Sequence, residues 1–478
     1  MKHIYAILIS GAILTIQLFI IGSTGPGDSE AYYYSWSKNL SLSYYDHPAG
    51  IALLIRLSTL IFGDNTFGLR FFSTLLINLS LIIIYSAAYL YYKDTKISLS
   101  AMLYIINTPA FLIGGVSASP EPALIFFSSL SIFFFYLYYR QRTDIYLTIS
   151  FILIGLALNI KYSAIFVVAA YIIVLIKDVK ILKRTLIKLI ITILIFATPV
   201  IIWNLSNHGI SFEYHLIKRL NPLYLPLNIL KFIGGQLLYF NPVLVILTIY
   251  IIYKKRYSDS KNIFLTLFWT TLSFSALPML LIKDSEPHWS SLVYICAAIL
   301  FAKEIQGYKK FFYMATGLNS LIFGIFLFHI FSPVFTEGIL NKTDPKYDIT
   351  NELFGWDIVG ENIDYIVQTE GIRTEDVLVA SNHYTMSGQL MFATRAKYDV
   401  VCRGKRCNQF SLNDLQDESK YRLFIFVTDN RFSEIPKFYR DEAIQQKIKI
   451  YRGVKVIREF YLYVKKRDQI IYRSLKSN

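Results

Sequence analysis

The sequence predicts a multi-pass α-helical membrane protein that ends in a small α/β domain. Two observations carry this. Over residues 1–331, uncharged apolar runs long enough to cross a bilayer recur, and they are continuous rather than alternating, which excludes a β-barrel. After about residue 332 the apolar runs shorten to strand length and charges become frequent. Composition agrees: the 478 residues are 54% hydrophobic and 17% charged, with a mean hydropathy of +0.43. Soluble domains are about a quarter charged.

About eleven spans are expected, near residues 4–22, 67–92, 97–116, 122–139, 145–160, 162–177, 187–204, 233–253, 263–282, 288–302 and 310–331. Lys2 and His3 precede the first run, which is longer than a signal-peptide core and lacks a clean cleavage site, so it reads as a retained helix. With the N-terminus inside, the cytoplasmic loops hold Lys93 and Lys96, Arg140 and Arg142, Lys177 to Lys188, Lys254 to Lys261, and Lys303 to Lys310. Every second loop is basic, the asymmetry that sets topology. The net charge of +15 is therefore read as topogenic rather than as a nucleic-acid surface. The same alternation sets domain 332–478 outside the cytoplasm. Long outer loops are expected at 23–66 and 205–232, the first including an interfacial helix from Pro48 to Phe62. No internal repeat is evident.

Beyond residue 332, strands are expected at 377–380, 398–401, 423–427 and 461–464, with helices near 356–370 and 383–393. The three cysteines are too few for a disulfide framework. Cys296 falls in an apolar run and reads as a packing residue. Cys402 and Cys407 pair if their region lies outside the cytoplasm, the alternative being two free thiols. No second ligand pair stands nearby for zinc.

Five polar segments interrupt this pattern, all on one side of the predicted topology. Asp28 and Glu30 precede Tyr32, Tyr33, Tyr34 and Trp36: a carboxylate beside aromatic rings suits a general base next to a sugar, and equally a solvated loop with belt aromatics. Tyr45-Asp46-His47-Pro48 offers a histidine at headgroup level; alone it reads as a turn. Glu121 opens a helix, where a carboxylate also suits the dipole. Lys161, before Tyr162, lies between two apolar runs, where an ammonium either snorkels or meets an anion. Lys283-Asp-Ser-Glu286-Pro-His288-Trp289 combines acid, imidazole and indole, or is a loop with an anchoring Trp. Random polar residues would fall on both sides of the membrane.

In this order the segments resemble the bacterial members of glycosyltransferase family 39, membrane enzymes of GT-C type related to protein O-mannosyltransferases and the aminoarabinose transferase ArnT. The resemblance runs through Glu30-Ala-Tyr-Tyr-Tyr-Ser-Trp36, Tyr45-Asp-His-Pro48, Gly63 through Arg70-Phe-Phe-Ser73, Ser119-Pro-Glu-Pro-Ala-Leu124, Gly155-Leu-Ala-Leu-Asn-Ile-Lys-Tyr162, Gly234-Gly-Gln-Leu237 and Glu286-Pro-His-Trp289, and weakly into Leu353-Phe-Gly-Trp-Asp357. It implies a GT-C transmembrane domain over 1–331 and transfer of a sugar from a polyprenyl-phosphate carrier to an acceptor outside the cytoplasm. It also implies an acidic residue of the first outer loop at the reacting centre, a second acid at Glu121, and His47 and Lys161 near the lipid phosphate. There are departures. Ser29 stands where relatives carry Asp, with Asp28 one place earlier; Glu121 stands for an Asp; His47 stands for the lysine of ArnT-like relatives.

The expected function is an inverting glycosyltransferase of a bacterial cytoplasmic membrane, using an undecaprenyl-phosphate sugar. Asp28 or Glu30 orients or deprotonates the acceptor oxygen, while Lys161, His47 and Arg70 stabilise the leaving phosphate. Tyr33, Tyr162, Glu286, His288 and Trp289 are expected in the binding site. No glycine-rich phosphate loop provides for a nucleotide sugar, and no cofactor is expected; carboxylates are available for a divalent metal, but nothing demands one. The acceptor is expected to be lipid A or another envelope glycan, with a secreted protein second. The rival class is a transporter of lipid-linked saccharides, which places ionisable residues near the midplane and often carries repeats; a structural assembly subunit is the third reading.

Overall fold

The computed structural model describes residues 3–177, 179–219, 225–255, 262–281, 286–412, 418–440 and 444–467. Arg256, Lys261, Lys283, Asp284 and Ser285 lie outside the described residues. The chain folds as two units. The first comprises Met1–Ile20, Ser41–Leu54 and Arg70–Ile325; the second comprises Ile21–Leu40, Ile55–Leu69 and Phe326–Asn478.

The first unit is helical. Among the described residues, five helical runs are long and apolar enough to cross a membrane: Ile4–Ile21, Thr66–Tyr92, Pro120–Gln141, Thr185–Ser206 and Pro287–Phe331. Pro226–Phe240 and Pro242–Lys255 make a sixth if the pair, bent by 108°, is one span. Hydropathy alone expects more divisions and more spans, and the local chemistry explains the difference. The run expected at 97–116 is cut at Asn107-Thr108-Pro109, where Pro109 opens a new short helix and Thr108 Oγ1 accepts from Phe111 N at 3.3 Å. The bend at 241 places Asn241 at φ 71° and turns its side chain to Asn107 O and Ala315 O at 3.0 and 2.9 Å. The expected division around Lys303 and Lys309 is present as the 3-10 turn Gln306–Tyr308, between helices Ser291–Ile305 and Lys309–Phe331. Gly50–Phe62 forms the helix expected at the interface, with Leu53, Leu57, Leu60 and Ile61 exposed.

Some polar side chains inside this unit pair with one another across helices. Asn78 Nδ2 donates to Gln17 Oε1 at 2.6 Å, and Ser131, Ser150 and Tyr171 bond to one another beside the stacked Phe135 and Tyr171 rings, 3.9 Å apart. Small residues set the close approaches. A Cβ on Gly155 would lie 2.3 Å from the Phe196 ring, and one on Gly50 would lie 2.7 Å from Asn159 O.

The second unit is built on a five-stranded sheet of β1 (Val377–His383), β2 (Asp399–Arg406), β3 (Leu423–Asp429), β4 (Ile444–Arg452) and β5 (Lys455–Lys466), in the order β2-β1-β3-β5-β4. β1 pairs in parallel with β2 and β3; β5 is antiparallel to β3 and β4. The expected strands are present and longer than their apolar cores. β4 was not expected. It alternates polar and apolar residues in Ile-Gln-Gln-Lys-Ile-Lys-Ile-Tyr-Arg and occupies a sheet edge, where lysines discourage further pairing. It joins β5 through Gly453 at φ 63°. Cys402 and Cys407 form a disulfide at the end of β2, while Cys296 in the first unit is buried and free.

Helix Asp28–Lys38 belongs to this unit and packs against helix Tyr384–Ala393. Their backbones meet at Gly388, where an added Cβ would lie 2.8 Å from Tyr32 Cα. Gly388→Ala is expected to lower stability by about 1–3 kcal/mol, the usual effect of overpacking, and a thermal melt of the detergent-solubilised protein checks it.

Candidate functional site

In the first unit, the carboxylate of Glu121 gathers two nitrogen donors. Its Oε1 accepts from Lys161 Nζ and from His288 Nε2, the latter at 3.0 Å. Each arrives from a point where a helix begins or breaks. Glu121 sits in the first turn of Pro120–Gln141; Lys161 stands between Asp144–Leu158 and the turn at Tyr162–Ala164; His288 lies in the turn Pro287–Ser290. The break at Lys161 is fixed by Gly50 N donating to Asn159 O at 2.8 Å and by Asn159 Nδ2 donating to Phe196 O at 2.6 Å. The turn at His288 is held by Gln236, whose Nε2 donates to Pro287 O at 3.3 Å and whose Oε1 accepts from Ser290 Oγ at 2.7 Å and Tyr294 OH at 3.0 Å. Gly235 allows that approach, because a Cβ there would lie 2.4 Å from Pro287 Cγ.

His47 adjoins this group. Burial, and then the Lys161 ammonium, hold its imidazole well below the usual histidine range, so it is neutral at pH 7. His215 is lowered to about 4, chiefly by burial, and its Nε2 meets Asp46 O at 2.8 Å. Its ring lies 6.4 Å from His47 and 5.3 Å from Tyr162, whose hydroxyl meets Ser211 Oγ at 3.1 Å. Arg219 stacks its guanidinium 4.7 Å over Trp289 and 5.4 Å over Tyr214. Glu286 is exposed, and Arg70 is buried near the start of Thr66–Tyr92. Glu121, Lys161, His288, His47, Tyr162 and Trp289 thus share one region of the first unit.

The second unit holds another charged group at the N-terminus of helix Asp28–Lys38. Asp28 is buried; its Oδ2 pairs with Arg431 at 3.0 Å and its Oδ1 accepts from Gln389 Nε2 at 3.0 Å. Arg431 Nε also donates to Asp429 at 2.8 Å, and Arg458 lies 3.8 Å from the same oxygen. Glu30 caps its own helix by accepting from Gly27 N at 2.8 Å. Glu352 accepts from Asp28 N at 3.2 Å, and its pKa is raised to about 7 by burial and then by the Asp28 carboxylate. Tyr33 is half-buried with its ring 4.9 Å from Trp36. Among the described residues no three His, Cys, Asp or Glu side chains converge as a metal site.

Comparison with known proteins bears on the frame that carries these groups. Residues 46–203 match the family described as dolichyl-phosphate-mannose-protein mannosyltransferase. The crystal structure of ArnT from Cupriavidus metallidurans in the apo state superposes with a TM-score of 0.66 at 12% identity, covering 96% of this chain and 97% of that one. The chain has the ArnT-like GT-C fold. The same ArnT bound to undecaprenyl phosphate matches with a TM-score of 0.59 at 10% identity, over 96% and 97% of the two chains. Among curated relatives of this GT-C chain, the lipid A galacturonosyltransferase RgtD of Rhizobium johnstonii is 24% identical over 57% of this chain and 59% of its own length. An undecaprenyl phosphate-alpha-4-amino-4-deoxy-L-arabinose arabinosyl transferase of Pseudomonas fluorescens is 29% identical over 26% of this chain and 22% of its own. The matched stretches thus span about three-fifths of the first relative and about a fifth of the second.

Sequence reasoning on the GT-C chain missed Arg431, Gln389 and Glu352. No local signal marks them: Asp28 meets Arg431 across 403 positions and Gln389 across 361. His215 was visible only as one polar residue of an outer loop.

Two outcomes are expected. Glu121→Gln leaves Lys161 with its counter-charge removed in a low-dielectric setting, and costs about 3–5 kcal/mol in unfolding experiments at pH 7. For Glu352 the folded pKa of about 7 stands above its ordinary value of 4.5. Folding then opposes ionisation, so its contribution to stability is intact below about pH 4.5 and is lost as pH rises to about 7. Glu352→Gln removes that loss, and its melting temperature should gain on the wild type between pH 5 and 8.

Proposed function

We propose that the chain is an inverting glycosyltransferase of a bacterial cytoplasmic membrane, moving a sugar from a polyprenyl-phosphate carrier to lipid A or another envelope glycan. The observation that carries this reading is the Glu121–Lys161–His288 group within a GT-C frame that matches ArnT over 96% of the chain. The relatives' names support both substrates, one being a lipid A galacturonosyltransferase and one an undecaprenyl-phosphate aminoarabinose transferase. The alternation of basic loops supports a cytoplasmic N-terminus and an outer domain over 332–478.

In the proposed reaction an acceptor oxygen attacks the anomeric carbon, the bond from that carbon to the carrier phosphate breaks, and the configuration inverts. The leaving phosphate keeps the electron pair and an added negative charge. Lys161 supplies a fixed ammonium for it, and Glu121 orients that ammonium while the donor is absent. His47, neutral at pH 7, and His288 donate N–H bonds to phosphate oxygens. The acceptor's proton passes to a carboxylate of the Asp28–Glu30 segment. Arg431 and Gln389 fix the orientation of Asp28, as a positioned base requires.

Purified protein given a polyprenyl-phosphate sugar and an envelope glycolipid tests the reading. Sugar transfer with release of the lipid phosphate is the expected result; movement of intact donor across a vesicle membrane without bond cleavage would assign a transporter instead. Lys161→Met should lower kcat about 100-fold or more, the usual effect of losing one electrostatic stabiliser. Of Asp28→Asn and Glu30→Gln, one should lower kcat about 100–10,000-fold, the range of a lost general base, and full transfer by both would remove the proposed base.

A further inference from the structure

The segment Cys402-Arg-Gly-Lys-Arg-Cys407 takes no part in the proposed transfer chemistry, yet it carries three cations and no acid. In the second unit it forms a bulge between β1 and β2. Ser381 pairs with Cys402 and His383 with Arg406, so Arg403, Gly404 and Lys405 stand opposite Asn382 alone. The disulfide closes this bulge, and Gly404 N donates to Cys407 Sγ at 3.4 Å. Gly404 lets the bulge cross β1, since a Cβ there would overlap Asn382 O. Covalent closure thus holds together three like charges that repel one another.

The three cations differ in their partners. Arg403 pairs with Glu418. Lys405 Nζ meets Glu434 Oε1 at 3.1 Å, but those side chains are 87% and 71% exposed, and an ion pair so open to water contributes little. Arg406 is exposed, and no carboxylate among the described residues lies within ion-pairing distance of it. Its guanidinium stands instead 5.6 Å from the centre of the Tyr384 ring. Tyr384 is half-buried and meets the Tyr32 ring edge-on at 4.7 Å. Tyr32 lies one turn along its helix from Asp28, and its hydroxyl accepts from Gln409 N, just beyond the disulfide, at 2.9 Å. Arg406 is therefore an exposed cation two ring contacts from the helix that carries Asp28 and Glu30. His383, beside Tyr384, adds no charge at pH 7, because burial and then the Arg406 guanidinium lower its imidazole to about 4.

We propose that Arg406, with Lys405 beside it, binds an oxyanion on the acceptor glycan, a phosphate monoester or a carboxylate, and so selects anionic acceptors. A guanidinium offers paired N–H donors whose spacing matches two oxygens of either group. The Tyr384 ring and the closed bulge restrain Arg406 before anything binds, so less freedom is lost when an anion arrives. Lys405 can exchange its open pair with Glu434 for the same anion. A neutral glycan gains little here, because it brings no counter-charge to replace the water around the guanidinium. The carrier phosphate has its own ammonium, Lys161, in the first unit.

The inference rests on the glycosyltransferase reading for its acceptor, yet its binding test needs no donor. Full-length protein in neutral detergent is titrated with three disaccharide methyl glycosides that differ in one substituent: a phosphate monoester, a uronate carboxylate, or neither. At least one anionic glycoside should bind about tenfold tighter than the neutral one, as a charge-assisted hydrogen bond provides. That preference should shrink as salt rises from about 0.05 to 0.5 M. Arg406→Gln should bring the anionic glycosides to the affinity of the neutral one, whereas Arg406→Lys, which keeps the charge, should retain part of the preference. Because the side chain is exposed, the melting temperature of Arg406→Gln should match the wild type, which separates lost binding from lost folding. In the transfer assay its defect should fall on the acceptor KM rather than on kcat or on the donor KM. Equal binding of all three glycosides, an anionic preference that survives Arg406→Gln, or inorganic phosphate binding as tightly as the phosphorylated glycoside would overturn the subsite. Arg406-dependent binding without any sugar transfer would keep the subsite and reject the catalytic reading; transfer without an anionic preference would do the reverse.

Discussion

The pairing of one carboxylate with an ammonium and an imidazole organises the first unit. Glu121 reaches Lys161 and His288 from the first turn of a membrane-length helix, where a lone charge would be strongly disfavoured. Meeting this condition requires helix ends rather than helix middles. The backbone therefore breaks at Asn159-Ile160-Lys161 and turns at Pro287–Ser290, and the glycines at 50 and 235 sit where neighbouring segments must come within van der Waals contact of those breaks. Gly50 N then satisfies the carbonyl of Asn159, and the Gln236 side chain that of Pro287. The segments around Glu121, Lys161 and His288 that stood out in the sequence thus meet in one ion pair and its supports.

The second unit solves a related problem differently. Asp28 is balanced not by a neighbour in sequence but by Arg431, itself shared with Asp429, with Arg458 close behind. The arrangement draws on a helix near the N-terminus, the end of β3 and the middle of β5. Glu352 adds a third carboxylate to that neighbourhood and yields by holding its proton up to about pH 7. The two glutamates take successive backbone N–H groups at the start of the helix, Glu30 that of Gly27 and Glu352 that of Asp28, so one end of an eleven-residue helix is capped by groups from distant parts of the chain.

Much of this was legible in the sequence because it depends on composition over short windows. Apolar runs marked the membrane helices, and Val377-Leu-Val-Ala380 and Leu423-Phe-Ile-Phe-Val427 marked the inner strands, which are buried on both faces. The number of spans was less legible, since Pro109 and Asn241 interrupt apolar runs without changing their mean hydropathy. β4 escaped notice because an edge strand needs only every second residue to be apolar. The polar segments were recognisable as a set; their partners were not, because electrostatic complementarity between residues hundreds of positions apart leaves no trace in a local window.

That separation has a consequence in time. Ribosomes add about 5–20 residues per second, so the 403 positions between Asp28 and Arg431 correspond to roughly 20–80 s of synthesis at those rates. Throughout that interval the first acidic segment has left the ribosome while its guanidinium does not yet exist. Until the last strands are made, the nascent chain must keep this carboxylate hydrated, and the burial of Asp28 becomes a late event of assembly although it involves one of the earliest helices translated.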